Sequence, residues 1–292
     1  MSFSIFTDTS ANLPTEYLNK ENVGLVVYTY TCRGSEHGTV DTARFDGKRY
    51  YEAMRGGMAV STSLISPPRY AEAFRPALAE GKDLLFIGMS SGISNSQHCA
   101  TLAAEMLAEE FPERKILLVD TLGASLGEGL LVMRAVRCRA EGMGIEEVCA
   151  RLLEERRRMC QVFTVDDLLY LRRGGRLSNA AAILGTVLQI KPLLKGDPQG
   201  KIVAFQKVRG KKRAIEALAE RYASLVEEPE TQTVGIAHAD CSEDAKYLAS
   251  LLWKSRPPKE ILTVMYEPVT GSHVGPGALA LFFFGGDGVR EA

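Results

Sequence analysis

The sequence predicts a two-domain α/β protein with mainly parallel sheets. Short β-branched or aromatic runs alternate with amphipathic stretches, the pattern of strand-helix repetition. With 292 residues and 46% hydrophobic content, the chain can bury one large core or two of about 150 residues each. A helix-like segment from Ile145 closes on Arg156-Arg157-Arg158, where positive charge complements the helix dipole, and a new apolar run opens at Val162. The predicted division is therefore 1–158 and 159–292.

Taken in order, Ser4 to Phe6 reads as the first strand, followed by a polar turn with Asp8 and a helix entry at Pro14. Further strands are predicted at Leu25 to Tyr30, Leu84 to Gly88 and Ile116 to Val119, then at Val162 to Thr164 and Ile202 to Phe205. Thr233 to Ala237, Ile261 to Tyr266 and Leu279 to Phe284 complete the set. Between them, Ile215, Leu218, Tyr222 and Leu225 recur at helical spacing, as do Ala245, Leu248 and Leu252, and these faces are predicted core. Pro76 interrupts the helix expected from Arg69 to Ala79, predicting a kink or an early stop.

Charge is balanced, 35 Lys+Arg against 36 Asp+Glu, so no whole-molecule field draws the chain to nucleic acid or an anionic membrane. Six cysteines without metal-type spacing suggest a reduced, cytoplasmic protein. The N-terminus lacks a basic, then apolar, leader pattern, and no run reaches the ~18 apolar residues of a membrane span, so neither processing nor stable membrane insertion is expected. Walker, G-x-G-x-x-G and H-E-x-x-H motifs are absent, leaving no support for a metal or a nucleotide cofactor.

Five constellations remain. Val60-Ser61-Thr62-Ser63-Leu64-Ile65-Ser66-Pro67-Pro68 reads either as hydroxyls capping a helix or as Thr62 presented to a ligand. The strand from Asp83 empties into Ser90-Ser91-Gly92-Ile93-Ser94-Asn95-Ser96 before a helix, a position suited to an anionic head group or simply to N-caps. Gly88-Met89-Ser90-Ser91-Gly92 is also a literal G-x-S-x-G, and Asp240 and His273 follow in the order of a serine hydrolase triad. His273 lies in Thr270-Gly271-Ser272-His273-Val274-Gly275-Pro276-Gly277, predicted as an irregular loop that lets backbone approach a ligand while the imidazole donates. Two basic turns, Leu171 to Ser178 and Lys207 to Arg213, read as solvated faces or as a docking patch. Asp8 either closes an Asx turn or steadies the binding loops from behind.

Together, residues 7–14, 61–63, 90–96, 172–177, the turn at Arg209 and His-Val-Gly-Pro-Gly at 273–277 occur in the order of the DegV family, which the chain resembles over nearly its whole length. The resemblance implies a two-domain α/β fold with helices on both sheet faces and an apolar tunnel at the domain seam for a long-chain fatty acid. It implies a carboxylate held by Thr62, Ser94 and His273, supported by Asp8, Ser63, Ser91, Asn95 and Ser96. Arg176 and Arg209 match positions for docking the catalytic subunit of a bacterial fatty acid kinase. On this reading the protein is a lipid-binding carrier and not the catalyst, its ligand a fatty acid and its cofactors none. The alternative is an esterase built on Ser90, Asp240 and His273.

Overall fold

The computed structural model describes residues 3–38, 41–178 and 190–292. Two compact units emerge: residues 1–45 with 60–156, and residues 46–59 with 157–292. A single cut at 158/159 therefore misses that the segment 46–59 belongs with the second unit.

In chain order the first part comprises β1 (Phe3–Asp8), α1 (Thr15–Lys20), β2 (Val23–Val26), β3 (Thr29–Cys32), β4 (Ser35–Gly38), α2 (Gly47–Arg55), β5 (Val60–Ser63), α3 (Pro67–Ala79), β6 (Asp83–Gly88), α4 (Ser96–Glu110), β7 (Ile116–Asp120), α5 (Leu126–Ala140) and α6 (Ile145–Arg158). The first unit centres on a four-stranded sheet in the order β2-β1-β6-β7, parallel throughout. Alternation along β1 sends neighbouring side chains to opposite faces. Phe6 meets the Phe74 ring of α3 edge-on at 5.3 Å, while Thr7 donates to Glu128 of α5 at 2.9 Å, so helices cover both faces. Tyr70, Phe74 and Phe86 are fully buried on the α3 side.

The predicted strand Leu25 to Tyr30 is two strands: β2 stays in the parallel sheet, and β3 turns away to pair antiparallel with β4 and β5. Helix α3 continues through Pro76 to Ala79 instead of stopping early, because Pro76 stands on its exposed side near the last turn.

The second part follows with β8 (Met159–Thr164), α7 (Leu169–Arg173), β9 (Ile190–Gly196), β10 (Ile202–Arg209), α8 (Lys211–Leu225), β11 (Thr233–His238), α9 (Ser242–Ser255), β12 (Glu260–Met265), α10 (Pro268–Val274) and β13 (Leu279–Phe284). Its six strands run in the order β10-β9-β8-β13-β11-β12. Here the expectation of mainly parallel sheets needs correcting, since among the described residues only β11 and β12 pair in parallel, across the α9 crossover. Two causes combine: β13 inserts antiparallel between β8 and β11, and β9 and β10 are joined by a tight turn in which Asp197 accepts the amides of Gln199 and Lys201, which permits only antiparallel pairing. Leu218 and Tyr222 of α8 and Leu248 and Leu252 of α9 pack with Ile236, Leu281 and Phe283 in one core.

Helix α2 joins this unit through two tyrosines. Tyr50 donates to the carbonyl of Pro268 and Tyr51 to that of Tyr266, each at 2.8 Å.

Candidate functional site

Strand order in the first unit creates a switch point between β1 and β6, because the chain leaves β1 toward β2 on one side and continues from β6 toward β7 on the other. Open parallel sheets bind ligands beyond the carboxyl ends of strands at such a point. Asp8 ends β1 and Gly88 ends β6, and the Ser90–Ser96 loop follows.

That loop is tightly built. The Ser90 hydroxyl accepts the Gly92 amide at 3.0 Å, and the Ser90 carbonyl accepts the amides of Ile93 and Ser94. Ser91 donates its hydroxyl to Asp120 at 2.6 Å, tying the loop to the end of β7. Ser94 is 8% exposed; its oxygen accepts the Ser96 amide at 3.2 Å and lies 3.4 Å from the Tyr28 hydroxyl. Burial pushes the Tyr28 phenol well above its ordinary range, so it stays a neutral hydrogen-bonding group beside Ser94. Asn95 occupies the N-cap of α4, exposed and without a side-chain capping bond.

Thr62 lies on β5 opposite Tyr30, half-buried, while Ser61 and Ser63 point to the other, exposed face. Ser63 thus stands away from the side Thr62 presents, as the two-residue period of a strand requires. Just beyond, the Ile65 amide reaches the Ser96 hydroxyl at 3.4 Å, which brings the Thr62 and Ser94 segments together. Asp8 does close an Asx turn, accepting the Ser10 amide at 2.8 Å, and it also takes the Met89 amide at 3.4 Å, just past the end of β6.

In the second unit, His273 is not in an irregular loop; it sits in the last turn of α10. Pro268 opens this helix, Glu267 caps it by accepting the Val269 and Thr270 amides, and Gly275 ends it at φ +79°, a conformation that favours glycine. Burial, aided by the nearby Arg176 guanidinium, drives the His273 imidazole down to about 4. It is neutral near pH 7 and offers one N–H and one lone pair. The turn after α7 lies directly against it: a Cβ on Gly174 would fall 2.5 Å from Nδ1 of His273. Arg176 folds back to donate to the Gly174 carbonyl, whereas Arg209, at the end of β10, is exposed. Of the neighbouring basic residues, Lys211 pairs with Asp166 and Asp244, and Arg213 with Glu216 and Glu220.

The triad alternative fares poorly on local geometry. Ser90 is fully buried, α4 starts six residues after it and not at the serine, and the Asp240 carboxylate is engaged by Arg55.

Compared with protein-family models, residues 2–285 match an uncharacterised protein family, DegV. The chain belongs to the DegV family. A DegV domain-containing protein of Clostridium perfringens is 35% identical over 283 residues, covering 97% of each chain. Among solved structures, a fatty acid-binding DegV family protein from Thermus thermophilus is 30% identical with a TM-score of 0.88, over 98% of this chain and 100% of the other. DegV of Bacillus subtilis, a fatty acid-binding protein, is 27% identical with a TM-score of 0.82, again over 98% and 100%.

Sequence reasoning missed Thr7, Ser10, Tyr28, Asp120 and Glu128. The available signal was Glu128 itself, a lone acid inside Leu126-Gly127-Glu128-Gly129-Leu130-Leu131-Val132, where an unpartnered charge would be costly.

Proposed function

We propose that this DegV protein binds a long-chain fatty acid as a non-enzymatic carrier, with the carboxylate held by Thr62, Ser94 and His273. The observation that carries the reading is Ser94: a buried hydroxyl, set by the Ser90 turn and flanked by the Tyr28 phenol, at the switch point of a parallel sheet, beyond the apolar run Leu84 to Ile87 of β6. The fatty acid-binding relatives from Thermus thermophilus and Bacillus subtilis support it.

A carboxylate withdrawn from water needs several donors, and two hydroxyls with one neutral imidazole supply them without a fixed counter-charge. Each methylene buried adds about 0.8 kcal/mol, so the alkyl chain dominates affinity while these groups set orientation. Asp8, Ser91 and Ser96 hold the capture loops through the bonds described above; Asn95 and Ser63 are assigned the same supporting role. Presentation of the carboxylate to a separate fatty acid kinase subunit, with Arg176 and Arg209 as docking residues, completes the proposal and accords with a cytoplasmic protein. No helix among the described residues is long and apolar enough to cross a membrane.

The test is native mass spectrometry of the purified protein, then extraction and identification of any co-purified small molecule. A stoichiometric fatty acid is expected. A protein that carries none and takes up neither oleate nor palmitate after delipidation sinks the reading.

A further inference from the structure

The Ser10 hydroxyl sits between two buried carboxyl groups, 2.6 Å from Oδ1 of Asp8 and 2.5 Å from Oε2 of Glu128. Ser10, Asp8 and Glu128 are each at most 1% exposed. A serine hydroxyl owns a single proton and can donate to one acceptor at a time. If both carboxyls were ionised, the second oxygen pair would face lone pair to lone pair at hydrogen-bonding distance, in a medium that strengthens the repulsion. One carboxyl must therefore carry a proton and donate it to Ser10, which donates onward to the other.

Close packing holds the three in place: a Cβ on Gly129 would fall 2.5 Å from the Ala11 carbonyl oxygen, so α5 reaches the β1 turn only because glycine follows Glu128. Thr7 from β1 donates to the other oxygen of Glu128. Among the described residues, the buried phenols of Tyr28 and, from α3, Tyr70 also face the cluster, and the Cys99 thiol of α4 acts on Tyr70. Burial lifts the Asp8 carboxyl to about 6 against the bonds from Ser10 and Met89.

We propose that Glu128, Ser10 and Asp8 share one proton at neutral pH, and that Glu128 thereby acts as a positioning residue for the Tyr28–Ser94 arm of the carboxylate site. The link is short. The Asp8–Ser10 turn fixes Thr9, whose hydroxyl accepts the Tyr28 amide at 3.1 Å, and the Tyr28 hydroxyl contacts Ser94. Loss of the proton sets two carboxylates against each other across Ser10 and loosens that turn. The positioning role rests on the fatty acid reading; the shared proton does not.

The experiment is infrared spectroscopy of the full-length protein in H2O and D2O at neutral pH, with oleate titrations from neutral to alkaline pH. Wild type is expected to show a protonated-carboxyl band. Glu128→Gln and Asp8→Asn, whose amides supply a permanent donor to Ser10, should each lack the band. Wild-type affinity for oleate should fall about tenfold, or about 1.4 kcal/mol, as the band titrates away, while Glu128→Gln stays flat. Absence of the band from wild type, or its survival in both single variants, overturns the shared proton. A flat wild-type profile across the band's titration overturns the positioning role. The wild-type titration stands even where a variant fails to fold. A band that behaves as expected in a protein that binds no oleate at any pH keeps the shared proton and removes the fatty acid reading.

Discussion

The Tyr51 hydroxyl donates to the Tyr266 carbonyl at 2.8 Å, joining α2 to the lead-in of the His273 helix across 215 positions of sequence. The same ring fills the space over Gly271, where a Cβ would fall 2.0 Å from the Tyr51 oxygen. Tyr51→Phe should cost about 1 kcal/mol for the lost bond. Gly271→Ala should cost more, roughly 1–3 kcal/mol, because the methyl must displace a packed ring. Urea unfolding of both variants checks the order; a Gly271→Ala protein as stable as wild type would mean that Tyr51 is free to move.

Gly174 provides a more selective handle on His273. It has an ordinary helical φ of −72°, so alanine there brings no backbone strain, only a methyl against the imidazole. Gly174→Ala is expected to cost roughly 1–3 kcal/mol, because the methyl must displace the imidazole, and to weaken oleate binding by about tenfold. Unchanged affinity, measured by calorimetry, would separate His273 from the ligand.

His273 and Asp8 pull stability in opposite directions with pH. The imidazole falls from 6.5 to about 4 on folding, so the unfolded chain binds more protons in that window, and stability is lost as pH drops through it. The Asp8 carboxyl rises from 3.8 to about 6, so the folded chain binds more protons, and stability is lost as pH rises. A tenfold change in proton affinity corresponds to about 1.4 kcal/mol, so the two contributions largely offset between pH 4 and 6. His238, lowered mainly by burial, adds to the His273 side. His273→Gln should therefore unmask stability that declines with rising pH across this window, and Asp8→Asn the reverse. Denaturation curves at several pH values decide it, and two variants with the same slope would refute the assignment.

Arg209 is exposed at the end of β10, beyond the internal ion pairs that occupy Lys211 and Arg213. Arg209→Ala should leave oleate affinity unchanged and reduce binding to the proposed kinase subunit in a pull-down or calorimetric titration. Equal loss of both would place the residue in the pocket or the fold.

Local signals account for what was legible. The apolar run Leu84 to Ile87, the helical spacing of Leu218 and Tyr222, and the arginines closing α6 each announce their element within a few residues, and they are where predicted. The hydroxyls of Ser90 to Ser96 were visible as a loop at a strand end for the same reason. The direction of the second sheet was not, because β13 enters between β8 and β11 and converts a row of strands into a mostly antiparallel one. Nor was the helical setting of His273, since glycines at 271 and 275 read as loop until Glu267 and Tyr51 are seen to brace them.

By itself, the sequence determined the alternation of strands and helices, the family, and the hydroxyls and histidine proposed to bind the carboxylate, because periodicity and motif order are carried by neighbouring residues. Only tertiary structure decided that residues 46–59 join the second unit, that Gly174 lies against His273, and that Glu128 meets Asp8 through Ser10. Those relationships depend on pairs of positions far apart in the chain, whose contact is set by sheet order and close packing and leaves no periodic trace in the residues between them.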